Sequence, residues 1–573
     1  MVRPHILFAW FATLAVTSPG PARAEESPAG IGRRVDAYLT ALVPFGYWGA
    51  ALVAIDDTVV LNQGYGWADI EGAVVNSPET LFGLQSVTKQ FTAAAVVALQ
   101  QDGKLGVEDP IARYLPGVPP DKRGITLHHL LTHTSGVISG TEIRLDDMTR
   151  DGVVRTVLDE PLAFEPGTDF MYSNLGYELL AAIVEAVSGQ SYDDYVIARL
   201  FRPAGMKATG HQPAGRHVAA HWYAQGEDQG DPRTWPYPDW NSFGSGGMLS
   251  TSMDMFRWHQ ALLGERVLSS ASKEILYTPD RNGYAYGWEI ENGEHGRLVR
   301  HNGGSSHGSA TSFRRYIDVG VTTILFCNRD GETMLFGERV VDHVNRIVFG
   351  GEVETPPVVR SFRENERGAL AGIYVIGEDS LLLESAGESL TLRAFGQSAV
   401  DALLGNGEAS HLRETGERAG AIFDAFARGD TVPLFSAFST AERGTRFVRY
   451  FRRQREEKEA EYGPLRDYRV LGTTPDWVTD FGGEMTFVRG EFERGSRLFR
   501  LHWKDGAVAA VGGEGIPEPI RVHLLPGAAD GELAGYHVPT AHAVMIRLGR
   551  ANNGAPESLT FANDGISAKK AER

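Results

Sequence analysis

One uncharged and almost wholly apolar segment, residues 91–99, constrains the fold of this chain more than any other feature. The segment ends just before Asp102 and Gly103, which predicts a helix that is apolar on nearly all sides and stops at a C-terminal glycine. A helix of that kind is stable only when other elements cover every face of it. The sequence therefore predicts a core built around residues 91–99.

The start of this helix carries the pattern Ser-x-x-Lys, formed by Ser86 and Lys89. The same pattern recurs at Ser270, which opens a segment typical of a surface helix, and at Ser567, which lies in a polar stretch near the chain end. A serine in the first turn of a buried helix lies where free backbone N–H groups point at developing negative charge. Lys89 follows one turn later on the same face, so the context selects Ser86.

A serine hydroxyl is a weak nucleophile until a base removes its proton. Lys89 can be that base if burial lowers its pKa, and Tyr172, in Tyr-Ser-Asn, can share the proton with it. The oxyanion formed on attack needs two donors, of which the Ser86 N–H is one. The stretch His-Asn-Gly-Gly, residues 301–304, can bring the second donor close because glycine has no side chain.

Further segments extend this set in the same order along the chain. They are residues 125–136, residues 164–167 leading into 172–174, and residues 246–255. Over roughly residues 30–350, the whole set resembles the serine β-lactamases of class C and their relatives among penicillin-binding proteins. Those relatives include D-alanyl-D-alanine carboxypeptidases, D-aminopeptidases and certain esterases.

The resemblance implies a serine hydrolase in which Ser86 is the acylated nucleophile and Lys89 and Tyr172 move its protons. It also implies a set of substrate-binding residues along the cleft, with the Gly304 N–H as second oxyanion donor. These residues are Asn174, His301, Asn302, Gly303 and Gly304. No metal and no cofactor is expected, and the expected partner is a small-molecule or peptide substrate.

One departure from the family pattern bears on the substrate. Class C β-lactamases usually carry Lys-Thr-Gly where this chain has His301, Asn302 and Gly303. A lysine offers a fixed positive charge to a substrate carboxylate, whereas a histidine is mostly neutral at pH 7. The histidine favours the peptidase branch, so an amide, a peptide with a D-residue or an ester fits as well as a β-lactam.

Length and charge set further limits. The chain has 573 residues, enough for two or three domains, and a formal net charge of −18, which argues against binding to nucleic acid or an anionic membrane. Residues 1–24 carry Arg3, an apolar run and a final Ala-Arg-Ala, which is typical of a secretory signal peptide without a membrane anchor. The lone Cys327 fits an exported protein of the periplasm or the exterior.

In residues 28–351, the order of the expected strands and helices predicts an α+β domain, with an antiparallel sheet flanked by helices beside a helical lobe. Strands are expected at both ends of this domain, with a hairpin of residues 50–55 and 58–62 that turns at Asp56 and Asp57, and a later strand over residues 284–290. The cleft between lobe and sheet is where Ser86, Tyr172 and His301 are expected to meet.

A linker is expected at residues 352–361, and residues 362–573 predict a β-rich accessory region. Within it, helices over residues 415–460 and the strands that follow weakly resemble NTF2-like modules, giving an α+β insert at about 410–520. The flanking strands are expected to close a small barrel around that insert. No catalytic constellation is seen there, and a homo-oligomer formed through this region is compatible with the sequence.

For some residues, a structural role and a functional role are both compatible with the sequence. His129 and His133 have the spacing of a helical metal pair, but packing is favoured because no His-Glu-x-x-His pattern is present. Glu165 and Asp169 near Tyr172 suggest acid–base work, but solvation of a loop is favoured.

Two alternative functions remain open. Ser306 lies in Gly-x-Ser-x-Gly, the nucleophile elbow of α/β-hydrolase esterases, although residues 309–318 predict a strand where that motif requires a helix. A penicillin-binding sensor, which is acylated without turnover, is the other alternative, because deacylation depends on the position of one water.

Overall fold

The structure is a computed structural model. It describes residues 26–139, 149–224, 227–305, 307–330, 334–363, 366–387, 389–404, 410–428, 455–456, 458–475, 483–512, 521–537, 541–551, 555–562 and 565–571. The predicted signal peptide, Ser306 and much of the stretch 415–460 lie outside the described residues. No helix in the described part of the chain combines the length and the apolar character needed to cross a membrane.

A six-stranded antiparallel sheet forms the centre of the N-terminal domain. Its strands, in spatial order, are Thr58–Tyr65, Gly49–Ile55, Val321–Asp330, Gly308–Tyr316, Gly296–Ser305 and Glu289–Gly293. We call Gly296–Ser305 the cleft strand. The first two strands form the predicted hairpin, in which Asp56 and Asp57 adopt φ of 47° and 59°, as a tight hairpin turn with two left-handed residues requires.

The strand expected over residues 284–290 is wrong over residues 284–288, since the strand begins only at Glu289. Gly283 and Gly287 both have positive φ, and they turn the chain before it can extend. A Cβ at Gly287 would lie 2.7 Å from the Lys89 carbonyl oxygen, so the turn packs directly on the helix that follows Ser86.

Helices cover both faces of the sheet. The predicted apolar helix is Lys89–Gln101, in which every residue as far as Leu99 is buried, and it packs beside the helix Asn174–Ser188 in one core. The other α-helices of this domain are Pro28–Leu42, Leu127–Leu131, Arg150–Asp159, Tyr192–Val196, Arg202–Ala204, Ser252–Leu263, Ser270–Leu276 and Met334–Val348. The first and last of these form a second core on the opposite face, because alternate residues of each strand point to opposite sides.

Three short two-stranded sheets complete the domain. They pair Trp67–Asp69 with Val74–Val75, Phe82–Gly83 with Leu249–Ser250, and Tyr223–Ala224 with Glu227–Asp228. The second pair matters most for the site, because its hydrogen bonds hold the chain just before Ser86 against residues 249 and 250.

The C-terminal region contains the expected barrel, which is closed by eight strands. They are Gly372–Ile376, Asp379–Ala386, Ser389–Phe395, Arg521–Pro526, Glu532–His537, His542–Arg550, Pro556–Phe561 and Ser567–Lys570. A short helix, Glu366–Leu370, precedes them.

An α+β insert separates the third and fourth barrel strands. It contains the helices Gln397–Leu404 and Ser410–Arg428 and a sheet of Leu465–Pro475, Glu484–Phe492, Gly495–Lys504 and Ala507–Gly512. Ile422 and Phe423 of the longer helix pack on the sheet. The likeness of this insert to NTF2-like modules stays a prediction.

Candidate active site

Ser86 stands out by its exposure. Every other residue from Thr80 to Leu99 is buried, and Ser86 alone reaches the surface in part. It lies on the 3₁₀ turn Gln85–Thr88, which leads directly into the apolar helix. Gln85 enters this turn with φ of 48°, a left-handed conformation that is unusual for a side-chain-bearing residue and often found at functional sites. The fold therefore exposes the Ser86 hydroxyl at the start of a helix whose other nearby residues are buried.

Lys89 lies beneath that hydroxyl with no exposed surface. Its Nζ donates to Ser86 Oγ at 3.1 Å, to Asn174 Oδ1 at 2.7 Å and to the Ser245 carbonyl at 3.0 Å. Burial lowers the pKa of Lys89 to about 7, against an opposing effect of the Glu178 carboxylate. Near neutral pH, the amine is therefore able to accept the Ser86 proton.

Tyr172 joins the pair from a distant part of the chain. The Lys89 Nζ lies 4.7 Å from the centroid of the Tyr172 ring. Burial raises the pKa of Tyr172 well above its usual value, and the neighbouring Ser86 hydroxyl opposes this rise only in part. Tyr172 is thus a neutral phenol that holds its proton beside the nucleophile.

Asn174 and Glu178 lie one turn apart on the same face of the helix Asn174–Ser188. Asn174 accepts the Lys89 hydrogen bond, which leaves its amide N–H₂ group for other partners. Glu178 is fully buried, and a carboxylate oxygen accepts the Gly244 N–H at 2.6 Å. Burial raises the pKa of Glu178 to about 7, and the nearby Lys89 is among the groups that oppose this rise, so the charges of Lys89 and Glu178 act on each other.

The cleft strand closes the other side of the site. A Cβ at Gly303 would lie 2.8 Å from the Ser86 nitrogen and 2.5 Å from the Leu84 carbonyl oxygen, so only glycine permits this approach. Gly304 lines a pocket of about 320 Å³ together with Ser86 and Asn174. The glycines thus bring strand backbone next to the Ser86 N–H, where the sequence predicts the second oxyanion donor.

His301 and Asn302 lie differently from the residues of the pocket wall. His301 is only 2% exposed, its Nδ1 is 2.6 Å from the Asn302 carbonyl oxygen, and its Nε2 is 2.9 Å from the Tyr284 hydroxyl. Burial and the nearby Lys89 lower the pKa of His301 to about 3, so the ring is neutral. The Asn302 Oδ1 accepts from Ser312 Oγ at 2.7 Å on the neighbouring strand. Their predicted role in substrate binding stays a prediction.

Tyr284, Ser245 and Glu178 belong to the site although no sequence pattern predicts them, and His133 does more than the packing predicted for it. His133 Nδ1 accepts the Ser173 N–H at 3.1 Å, between Tyr172 and Asn174, and its ring centroid lies 4.3 Å from that of Tyr172. Its position was detectable, because His133 lies in the segment 125–136 that the resemblance covers. Tyr284 has no such signal, since its contact with His301 exists only in three dimensions.

The competing residues have structural partners of their own. Ser270 donates to Glu265 Oε1 on the surface, and Ser567 pairs with Thr560 in the barrel. His129 Nδ1 accepts the Thr126 N–H in a helix cap, which agrees with the favoured structural interpretation. Glu165 and Asp169 are exposed on a loop, as expected for solvated acids.

Among the described residues, one group has the spacing of metal ligands. It consists of Asp69, His221 and Asp228, whose ligand atoms all lie within 4.8 Å of one another. None of the three lines the Ser86 pocket. The expectation of a metal-free reaction at Ser86 therefore stays a prediction.

Comparisons with known proteins show the family of the chain. A family model described as Beta-lactamase matches residues 47–344. Penicillin-binding protein 4* of Bacillus subtilis (strain 168) is 33% identical over 338 residues, which cover 54% of this chain and 74% of that protein. The putative penicillin-binding protein PbpX of the same strain is 31% identical over 262 residues, covering 44% of this chain and 65% of that protein.

A solved structure extends the likeness in fold. The octameric penicillin-binding protein homologue from Pyrococcus abyssi has a TM-score of 0.53 and 20% identity, and the match covers 83% of this chain and 96% of that one. A match of this extent is longer than the N-terminal domain, so it includes part of the C-terminal region.

Proposed function

Because the chain belongs to the beta-lactamase family and is a serine hydrolase of that family, we propose that it works through an acyl-enzyme formed on Ser86. The substrate class is an amide, a peptide or an ester. The observation that carries the proposal is the hydrogen bond from a fully buried Lys89 to the one partly exposed hydroxyl of its segment. A base in contact with a serine nucleophile is the arrangement that covalent catalysis requires.

The proton steps follow from the two pKa values. Lys89 takes the proton from Ser86 Oγ as that oxygen bonds to the substrate carbonyl carbon. The phenol of Tyr172 then gives its proton to the leaving nitrogen or oxygen as the carbonyl–leaving-group bond breaks, and the Lys89 ammonium returns a proton to Tyr172. Water reverses the sequence to release the acid, and each positioned proton carrier contributes about 10²–10⁴ in rate.

The oxyanion of the tetrahedral intermediate lies between the Ser86 N–H and the Gly304 N–H. Support comes from the close approach of the cleft strand at Gly303 and from the position of Gly304 in the pocket wall. The loss of one such donor typically costs about 3–4 kcal/mol of transition-state stabilisation.

A three-variant experiment tests the nucleophile with a matched control. Ser86→Ala should abolish both p-nitrophenyl acetate turnover and covalent labelling by a fluorophosphonate. Ser270→Ala removes a serine with the same Ser-x-x-Lys pattern and should retain both. If Ser306→Ala were inactive while Ser86→Ala kept its rate, the esterase alternative with Ser306 would replace the present proposal.

The sensor alternative is favoured by the names of the relatives, which describe penicillin-binding proteins. Incubation with a fluorescent penicillin separates the outcomes. A label on Ser86 that persists after free penicillin is removed indicates a binder, and a transient label indicates a hydrolase. Absence of label with turnover of esters or amides indicates a different substrate class.

Export, oligomeric state and independence from metals belong to the same proposal. A mature protein beginning at Glu25, found by N-terminal sequencing of the exported protein, would support the signal peptide. Light scattering on the full chain tests a homo-oligomer, for which the octameric relative is the precedent. Turnover unchanged by EDTA is expected, whereas loss with EDTA and rescue by zinc would contradict a metal-free reaction.

A further inference from the structure

A second cavity adjoins the Ser86 pocket. It has a volume of about 370 Å³ and shares Gln85, Asn241, Ser242 and Gly246 with the wall of the 320 Å³ pocket. The two cavities therefore form one continuous concave surface on one side of the nucleophile. A group attached to a carbonyl at Ser86 has this second cavity within reach.

Aromatic rings line the second cavity. The rings of Trp222 and Trp235 meet edge to face with centroids 4.7 Å apart, and His307 lies 5.6 Å from Trp235. Phe243 stacks on His211 at 4.2 Å along another part of the wall. Such rings offer apolar faces and edges that a further aromatic ring can pack against.

The wall is rigid where hydrogen bonds hold the rings. His211 Nδ1 lies 2.6 Å from Asp193 Oδ1, and its Nε2 lies 2.9 Å from the Phe243 carbonyl oxygen. The Tyr237 hydroxyl donates to the other oxygen of Asp193 at 2.6 Å. The cavity therefore combines aromatic rings held by hydrogen bonds with polar side chains such as Gln212 and Asn241, and small-molecule sites commonly combine the two.

The only charged side chain in the described lining of the two cavities is acidic. Asp239 is the one carboxylate residue, and neither Lys nor Arg is present, among the described residues that line them. The cleft strand contributes only the uncharged Gly304 and Ser305 to the described lining of these cavities, and His301 on the same strand is buried against Tyr284 and neutral. A substrate carboxylate in the second cavity would therefore lie near the Asp239 carboxylate, with no Lys or Arg among the described residues that line that cavity.

We propose that this aromatic cavity is the acyl-group pocket of the Ser86 site and that it selects esters or amides whose acyl group carries an aromatic ring and no carboxylate. The inference rests on the proposed function of Ser86 and adds the substrate class. Trp222 and Trp235 bind the ring, while Asp239 disfavours an anionic acyl group. Uncharged acyl groups and acyl groups with a free amine are both accepted on this basis.

Three matched esters test the selectivity. They are p-nitrophenyl propionate, p-nitrophenyl 3-phenylpropionate and mono-p-nitrophenyl succinate, which share a leaving group and differ in an added ring or carboxylate. We expect kcat/KM for the phenyl ester to exceed that for propionate by about 10- to 100-fold, as burial of one ring gives. The succinate ester should be the poorest of the three.

Two variants assign the effects to residues. Trp235→Ala should reduce the ratio of phenylpropionate to propionate about tenfold, and Asp239→Asn should raise the succinate rate relative to propionate. Trp67→Ala, the matched control, removes an exposed tryptophan outside both cavities and should leave these ratios unchanged. Equal rates for the three esters, a preference for succinate, or a ring preference that Trp235→Ala does not change would each overturn the inference.

Fluorophosphonate labelling separates this inference from the proposed function. If the reagent labels Ser86 but the ester ratios show no preference, the acyl-group pocket is wrong and the nucleophile stands. If Ser86 is not labelled and Ser86→Ala keeps its ester turnover, the proposed function fails, and the substrate class fails with it.

Discussion

At the scale of single residues, the reactivity of the site depends on what burial does to two neighbouring groups. It lowers the pKa of Lys89 to about 7 and raises that of Tyr172, so the amine can accept a proton while the phenol retains one. Exposed side chains of these types would both be protonated at pH 7. The same sealed environment therefore makes one group a base and its neighbour an acid.

Tyr172→Phe should lower kcat about 10²–10⁴-fold, because the leaving group then lacks its proton donor while the ring still fills its place. Acylation and turnover of an amide with a poor leaving group should show the effect best, measured by stopped-flow and steady-state kinetics. Tyr114→Phe, which removes a hydroxyl that donates to Asp109 outside the pocket, is the control. A near wild-type rate for Tyr172→Phe would remove Tyr172 from the proton path.

Glu178→Gln should move the acidic limb of the pH profile of kcat/KM to lower pH. The Glu178 carboxylate raises the pKa of Lys89, so its removal lowers that pKa and the amine becomes neutral at a lower pH. In the wild-type protein, activity should rise through about pH 7 as Lys89 loses its proton, since burial lowers the pKa of this base to about 7.

The control is Glu185→Gln on the same helix, where the carboxylate pairs with Arg150 away from the pocket. Its pH profile should match that of the wild-type protein. A Glu178→Gln limb at the wild-type position, with activity intact, would mean that Glu178 does not act on the Lys89 charge.

The sequence predicted some of these residues and not others for a physical reason. Ser86 and Lys89 are three residues apart, so helical geometry alone places them together. Tyr172 was found through a short motif that the family resemblance supplied. Glu178 acts on Lys89 through its charge, and Tyr284 contacts His301 by a hydrogen bond. Both effects depend on packing between distant segments, which no local pattern encodes.

At the scale of elements, the site depends on how closely the cleft strand approaches the Ser86 turn. The strand can reach that turn because Gly303 has no side chain, since a Cβ there would overlap backbone atoms of Leu84 and Ser86. Backbone atoms cannot rotate away as a side chain can. The distance between the two elements, and with it the oxyanion geometry, is therefore fixed by one glycine.

Gly303→Ala should push the strand away from Ser86 and lower kcat/KM at least 10²-fold, as the loss of an oxyanion donor does. Kinetics with an activated ester, combined with a thermal melt to confirm folding, measure the effect. Gly293→Ala on the neighbouring strand is the control, because a Cβ there meets nothing within 4 Å and its φ is not positive. Equal activity of the two variants would show that the strand can move without loss of the oxyanion site.

Local signals also explain which elements were predictable. The hairpin at Asp56 and Asp57 and the apolar helix were predicted correctly because turn residues and periodicity are properties of adjacent positions. The strand at residues 284–290 was wrong because Gly287 packs on the Lys89 carbonyl and turns the chain instead. Strands from the two sides of the insert pair into one closed barrel although more than 120 residues separate them along the chain. No pattern of adjacent residues predicts such a pairing.

At the scale of the whole molecule, the barrel joins the core that lies on the face of the central sheet opposite the Ser86 side. Leu525, Tyr536 and Ala541 of the barrel region belong to the core that also contains Phe45 and Val340 of the N-terminal domain. The residues around the apolar helix form a separate core on the other face. The barrel can therefore stabilise the domain without contacting the Ser86 pocket.

Tyr536 is the test of that arrangement. It is 3% exposed, its ring lies 6.3 Å from that of Phe45, and its hydroxyl donates to the Glu354 carbonyl at 2.7 Å. Tyr536→Ala should destabilise the contact by about 3–5 kcal/mol, as removal of a buried aromatic ring does, and should separate the thermal unfolding of barrel and domain into two transitions. Scanning calorimetry measures this outcome.

Tyr536→Phe should cost about 1 kcal/mol, because it removes only the hydrogen bond. Val358→Ala in the linker, where the side chain is 80% exposed, should leave the melt unchanged. Below the first transition, Ser86 should be acylated by a fluorophosphonate at the same rate in all these variants, since the contact lies across the sheet from the pocket. A fall in that rate in Tyr536→Ala, with the domain still folded, would mean that the barrel shapes the active site as well as supporting the domain.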